Sequence, residues 1–303
     1  MLYHRMQLYC YAQLILNFII KMNTIVKQFL LIIITISIYT SCSKKSDPTP
    51  AFEEKNLAPF SIEFDNIVGD RTFSINNTGS LYTNAAGEKF SISMLQYFIS
   101  NIKVVTVEGK TYTVPQDKSY FLINGADKAT RFTKVEVPEG DYSKVTFTLG
   151  VDSLRSTMDL SKRTGVLDPA AGGGHDGSGM YWGWNSGYIF FKFEGNANVI
   201  SDDVNGDPTG KKQFKYHIGG FGGYSAPTIN NIKTITVDLI NAGIAKVRKD
   251  RQSNVHLFVD IMKVFNGKNS FSIVAHPNVM FSNYSVNIAS NLTELFTHDH
   301  TEN

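Results

Sequence analysis

Phe132-Thr133-Lys134-Val135-Glu136-Val137-Pro138-Glu139-Gly140-Asp141-Tyr142-Ser143-Lys144-Val145-Thr146-Phe147-Thr148-Leu149 decides the fold class. Its first six residues alternate apolar and polar without a break, the period of a half-buried strand. Pro138 to Tyr142 turns the chain. Val145, Phe147 and Leu149 then share one face of a second strand. Moving outward, the same period recurs in Ser61–Asp65, Thr72–Ile75, Phe214–Ile218, Ile235–Leu239 and Val255–Ile261, and a turn at Glu108-Gly109-Lys110 leads into Tyr112–Val114. Tyr120–Ile123 adds another strand. Lys89 to Val107 is the longest regular stretch. The alternation of Phe90, Ile92 and Met94 changes phase at Leu95, which predicts a bend, a bulge or two strands. Only Pro277 to Phe296 carries a helical period, through Met280, Tyr284, Ile288, Leu292 and Phe296. Many short strands without βαβ alternation predict an all-β sandwich, immunoglobulin-like or jelly-roll-like, with long loops and one C-terminal helix.

Composition agrees. The 303 residues include 21 Phe and 14 Tyr, residues that favour strands over helices. Formal net charge is +2, but Arg5, Lys21 and Lys27 precede residue 42 with no acidic residue beside them. Removing those three takes the 29 basic residues to 26, against 27 acidic ones. The remaining chain has no basic, aromatic-interleaved patch, which argues against nucleic acid as a partner. Both cysteines, Cys10 and Cys42, are N-terminal, so no disulfide or thiol serves the rest of the chain.

The N-terminus reads as an address. Met22 to Lys27 is a short basic start, Phe29 to Tyr39 is an apolar run, and Thr40-Ser41-Cys42 follows. That order is a secretory signal. A cysteine at the cleavage point resembles a bacterial lipobox, with Cys42 lipidated and Tyr39 in place of the usual Leu or Val. The expected organisation is an upstream extension over 1–21, a lipoprotein signal peptide over 22–41, a polar tether over 42–58 and the β-sandwich over 59–303. The protein is then anchored to a membrane through lipid, in the cell envelope. Lys44 and Lys45 favour the periplasmic face.

No G-x-S-x-G, P-loop or H-E-x-x-H motif is present, so no catalytic nucleophile or base can be named, and the expectation is a non-enzyme. A metal-dependent hydrolase has the least support. Asp203, Asn205 and Asp207 have calcium-loop spacing, but Pro208 replaces the required glycine and the twelfth position has no Glu, so a solvated hairpin tip is the better reading. Histidine is the remaining chemistry, because imidazole suits copper, zinc, iron and nickel. His217 lies on a strand face opposite Phe214, Tyr216 and Ile218, just before Gly219-Gly220. His256 reads as a hydrogen-bonded core or interface histidine, His276 as a helix-entry residue and His175 as part of a glycine loop. His298 and His300 could share one ion, or form a solvated, frayed end. Gly179 to Gly195 holds both tryptophans, Trp182 and Trp184, and continues as a β-prone run. These rings could be packing, a ligand-site wall, or a stacking platform for a carbohydrate or partner protein.

Several segments together resemble the MbnP-like family, periplasmic copper-binding proteins named after the methanobactin operons. They are Ile92–Ile102, Val137–Tyr142, Leu149-Gly150-Val151-Asp152-Ser153, Leu167-Asp168-Pro169, Gly179–Gly195 with its Tyr181-Trp182-Gly183-Trp184, and Tyr216-His217-Ile218-Gly219-Gly220. The resemblance implies a β-sandwich that binds copper for capture or handling. It implies that Trp182 or Trp184 is oxidised to kynurenine by a di-haem partner of the MauG/cytochrome c peroxidase type. It also implies His217 as a copper ligand, with His298 or His300 as a second. Two departures stand out: the tail reads Thr297-His298-Asp299-His300-Thr301 where Asp-His-Val-His is expected, and Gly172–Ser178, with His175, looks inserted.

Overall fold

A computed structural model describes residues 56–170, 179–182, 187–201, 210 and 212–303. Cys42, His175, Trp184 and the Asp203-Asn205-Asp207 loop lie outside the described residues. In chain order the strands are β1 (Leu57–Val68), β2 (Arg71–Thr72), β3 (Tyr82–Thr83), β4 (Lys89–Thr106), β5 (Thr111–Thr113), β6 (Tyr120–Asn124), β7 (Phe132–Pro138), β8 (Gly140–Leu149), β9 (Tyr181–Trp182), β10 (Gly187–Ala197), β11 (Gln213–Gly219), β12 (Lys233–Asp238), β13 (Ala245–Val247), β14 (Ser253–Asp260), β15 (Asn278–Val279) and β16 (Phe296–Glu302). Short helices α1 (Ser153–Thr157), α2 (Lys263–Asn266) and α3 (Ser285–Asn291) lie between them. None among the described residues is long and apolar enough to cross a membrane.

The strands form two sheets, and the fold is an all-β sandwich. Sheet 1 has the order β16-β14-β1-β2, with β7 also on β1; the β1–β14 pair is parallel. Sheet 2 has the backbone order β12-β8-β4-β10-β11-β15, with shorter strands attached to β8, β4 and β10. The deciding stretch spans both sheets. β7 pairs with β1 in sheet 1, and after Pro138-Glu139-Gly140 the chain enters sheet 2 as β8. The Tyr142 hydroxyl donates to the Pro138 carbonyl at 2.6 Å and fastens that corner. Alternation then explains the core: Phe64 of sheet 1 meets Phe147 of sheet 2 edge-on at 5.3 Å, and Phe296 of β16 meets Phe147 at 5.1 Å.

The phase change in β4 is two bulges in one unbroken strand. Against β10, Met94 pairs with Glu194 and Ile92 with Gly195, leaving Ser93 extra. Against β8, an extra residue falls between Ser100 and Lys103, where Asn101 takes a positive φ of 52°. An inserted residue flips the side-chain phase, as the sequence requires.

The other face of sheet 2 is also covered. Phe98, Val151, Leu167, Met180, Trp182, Tyr188, Phe190 and Phe221 form a second apolar cluster there. The cover is the aperiodic segment after β8. It contains α1, capped by Asp152 accepting from the Arg155 amide at 3.0 Å, and two 3-10 turns. At the C-terminus the helix is shorter than its sequence period, and β16 follows it: the tail is a paired strand, not a frayed end.

Glu88, 5% exposed, accepts hydrogen bonds from Ser272 Oγ (2.6 Å), the Ile273 amide (2.7 Å) and Asn84 Nδ2 (2.6 Å). Burial raises its pKa, but those bonds, with that from the Val274 amide, outweigh it and hold the carboxyl below its ordinary value. A depressed carboxyl stabilises the fold above the unfolded pKa near 4.3, and that contribution is lost as pH falls through the folded value. Glu88→Gln is therefore expected to cost about 1–3 kcal/mol at pH 7 in urea unfolding. The gap from wild type should narrow as pH falls through that lowered folded value; a gap independent of pH would contradict this account.

Candidate functional site

The outer face of sheet 2 carries charge inside an aromatic strand. β10 reads Phe190-Phe191-Lys192-Phe193-Glu194, and Phe191 and Phe193 enter the main core. Lys192 and Glu194 therefore project to the opposite face, where register places Lys192 directly across from His217 and Glu194 one step diagonal to it. Lys192 is fully buried, and Glu194 and His217 are 8% and 6% exposed. His217 Nε2 lies 2.7 Å from Glu194 Oε1, and Gln213 Nε2 donates to Glu194 Oε2 at 3.3 Å. Lys192 Nζ donates to the Gly179 carbonyl at 3.3 Å.

The electrostatics fix the tautomer. Burial pushes the His217 pKa down, the Lys192 and Lys215 charges add to that, and the Glu194 bond only partly opposes them. Burial acts the other way on Glu194. There the His217 hydrogen bond, with the Lys192 and Lys215 charges, outweighs it and holds the carboxyl below its ordinary value. At neutral pH the pair is thus a neutral imidazole and a carboxylate. The carboxylate can only accept, so Nε2–H donates and Nδ1 keeps its lone pair. A carboxylate behind one ring nitrogen is how metal-ligating histidines are oriented.

Trp182 sits beside this group. Gly219 shares the His217 face of β11, two residues on. A Cβ there would come 2.7 Å from Trp182 Cζ3 and 2.4 Å from the Tyr188 carbonyl oxygen, so the glycine is the seat of the indole. Phe281 packs edge-on against the ring at 6.1 Å. Trp182 is 6% exposed, which leaves it little open face for stacking a sugar. A cleft of about 300 Å³ adjoins it, lined in part by Gln96, Phe98, Met180, Tyr181 and Tyr188.

The tail histidines belong to sheet 1. His256 pairs with His300 and Leu257 with His298, so Asp299 is an extra residue, a bulge. Leu257 points into the core and His256 away from it, and paired residues share a face. His298 therefore faces inward, its Nε2 2.9 Å from Thr301 Oγ1, whereas His300 faces outward and stacks on His256 at 4.9 Å. The core lies between His300 and His217. The structure brings His217 and Trp182 to one face; it does not bring His298 or His300 to them, nor those two to each other. Among the described residues, one group of three ligand-type side chains has its donor atoms within 4.8 Å of one another: His256, Asp299 and His300.

Sequence reasoning found His217 and its face. It missed Glu194, Lys192 and Asp299. The signal for the first two was present: two charges at period two inside an otherwise aromatic strand can only face a polar neighbour on a covered sheet.

The fold and the faces just described define a β-sandwich with histidine–carboxylate groups on both outer surfaces. The chain belongs to the MbnP family, whose model matches residues 57–281, a stretch that includes Trp182 and His217 and ends before β16. Among solved structures, MbnP from Methylosinus trichosporium is similar at 15% identity, covering 72% of this chain and 82% of that one with a TM-score of 0.45. No curated protein sequence matches the chain.

Proposed function

We propose that this chain is an extracytoplasmic copper-binding protein, held in the cell envelope by lipid on Cys42, that captures or hands on copper without catalysing a reaction. The observation that carries the reading is His217: buried, neutral, oriented by Glu194 and next to Trp182, in a chain of the MbnP family. Imidazole nitrogen suits copper, and its free lone pair is on Nδ1. In the same reading Trp182 or Trp184 is oxidised to kynurenine by a di-haem partner of the MauG/cytochrome c peroxidase type. Peroxide, spent through the partner's haems, cleaves the indole C2–C3 bond; hydrolysis then releases C2 as formate and leaves the ring nitrogen as an aryl amine, a second nitrogen donor beside His217. Because His298 and His300 stand on the other sheet, this copper site is built without them.

The test is copper loading of the mature chain, purified anaerobically from cells containing the partner, followed by metal analysis. Wild type is expected to retain copper and His217→Ala to lose it. Glu194→Gln should bind about 10–100-fold more weakly, because it disturbs the orienting carboxylate. No retention by wild type, or equal retention by His217→Ala, overturns the copper reading. Mass spectrometry of the peptides holding Trp182 and Trp184 tests the second part; unmodified mass at both overturns it.

A further inference from the structure

The outer face of sheet 1 carries a second arrangement, independent of the copper reading. His256 is central in it. Its Nδ1 lies 3.1 Å from Asp299 Oδ2, and His300 Nδ1 lies 2.8 Å from the same oxygen. The two rings stack with an interplanar angle of 29°. Both imidazoles thus turn the same nitrogen toward one carboxylate oxygen. Behind each ring stands a further carboxylate: Glu63 and Asp65 lie 3.9 and 3.8 Å from His256 Nε2, and Glu302 lies 3.7 Å from His300 Nε2. Among the described residues, Arg131 is the one cation paired with this group, at 2.8 Å from Glu63 and 3.6 Å from Asp65. Against four carboxylates it leaves a net negative surface around two imidazoles.

The backbone is bent to make this. In a regular strand, neighbours Asp299 and His300 would point to opposite faces. The bulge at Asp299 sets both against His256. Bulges characteristically re-aim a side chain in this way next to functional sites. The same shift turns Phe296 into the core against Phe64 and Phe147, so one bulge serves both the packing inside the sheet and the polar group outside it.

We propose that His256, Asp299 and His300 form a binding site for a divalent late-transition-metal ion, with the two Nδ1 atoms and the Asp299 carboxylate as ligands and the remaining positions open to solvent. Two imidazoles and one carboxylate select nickel, copper(II) or zinc over calcium and magnesium, which prefer all-oxygen shells. Glu63, Asp65 and Glu302 then face the Nε2–H groups as outer carboxylates, the role such groups play around metal-bound histidine. Arg131 holds the first two in place.

The experiment uses the mature chain carrying His217→Ala, which removes the ligand of the proposed copper site, and zinc alone as the probe. Competition against a chromophoric chelator is expected to find one equivalent of zinc bound. Adding Asp299→Asn, nearly the same shape, should weaken binding about 100-fold or more, since it removes a ligand rather than an outer partner. His256→Asn should do the same, with unchanged circular dichroism showing that the sheet persists. On zinc addition, the His256 and His300 ring resonances should shift and those of His298 should not. No zinc bound by His217→Ala, unchanged affinity in Asp299→Asn, or tighter binding of calcium than of zinc overturns the proposal. A failure of copper retention at His217 leaves these readouts untouched, so the two sites are tested separately.

Discussion

Phe147→Ala is expected to lower the stability of the folded domain by about 3–5 kcal/mol, the range for truncating a fully buried phenylalanine. Phe147 is 0% exposed and meets both Phe64 and Phe296 edge-on, at 5.3 and 5.1 Å. Those partners come from two strands of sheet 1, whereas Phe147 belongs to sheet 2. The truncation therefore opens a cavity where the sheets join, and no neighbouring strand can relax to fill it without parting from its own ladder. Urea unfolding measures the loss, and the melting temperature should fall by about 2–4 °C per kcal/mol in a domain of this size. Thr146→Ala is the control: its hydroxyl faces the other way, toward Thr236 at 3.0 Å in an exposed contact, and its cost should stay below about 1 kcal/mol. A comparably small loss for Phe147→Ala would mean that the sheets are held together elsewhere. Metal retention in native buffer should be unaffected, because neither outer face includes Phe147.

The same residue shows why so much of the fold could be read from the chain. Alternation is local, and Val145-Thr146-Phe147-Thr148-Leu149 displays it completely. So does Phe214-Lys215-Tyr216-His217-Ile218, which is why the outward face of His217 is predictable from the sequence alone. What alternation cannot show is which strand lies alongside. The tail, Phe296-Thr297-His298-Asp299-His300-Thr301-Glu302, is polar enough to pass for a solvated end. It becomes strand only by pairing with β14, some forty residues earlier. The bulge at Asp299 is a property of that pairing, so the separation of His298 from His300 was equally out of reach. Sequence spacing alone allowed the two histidines to share an ion; register turns them to opposite faces. Likewise, Lys192 and Glu194 could be seen to leave the core, but only the β10–β11 register makes them partners of His217.

Gly195 joins fold and site most directly. In the sequence it reads as the end of the aromatic run. In the structure β10 continues through it to Ala197, and Gly195 lies opposite the Ser93 bulge of β4. A Cβ at this position would lie 2.0 Å from the Ser91 carbonyl oxygen and 2.6 Å from the Phe214 ring. The ring could tilt, but the carbonyl belongs to the backbone of β4, the central strand of sheet 2, and rotamer change cannot move it. Gly195→Ala is therefore expected to cost about 3 kcal/mol or more, at the upper end of the range for overpacking. Gly79→Ala is the contrast, since a Cβ there meets only Asn77 Oδ1, at an ordinary 3.7 Å, and stability should hold within about 0.5 kcal/mol. The substitution should also reach the metal chemistry. Relief of the clash must separate β10 from β4, and the residue that moves with Gly195 is Glu194, whose carboxylate holds the His217 ring at 2.7 Å. Copper retention by the still-folded fraction should then fall with Glu194→Gln, whereas zinc binding at His256, Asp299 and His300, on the other sheet, should survive. Equal loss at both sites would mean that the sandwich fails as a unit before the strand can shift.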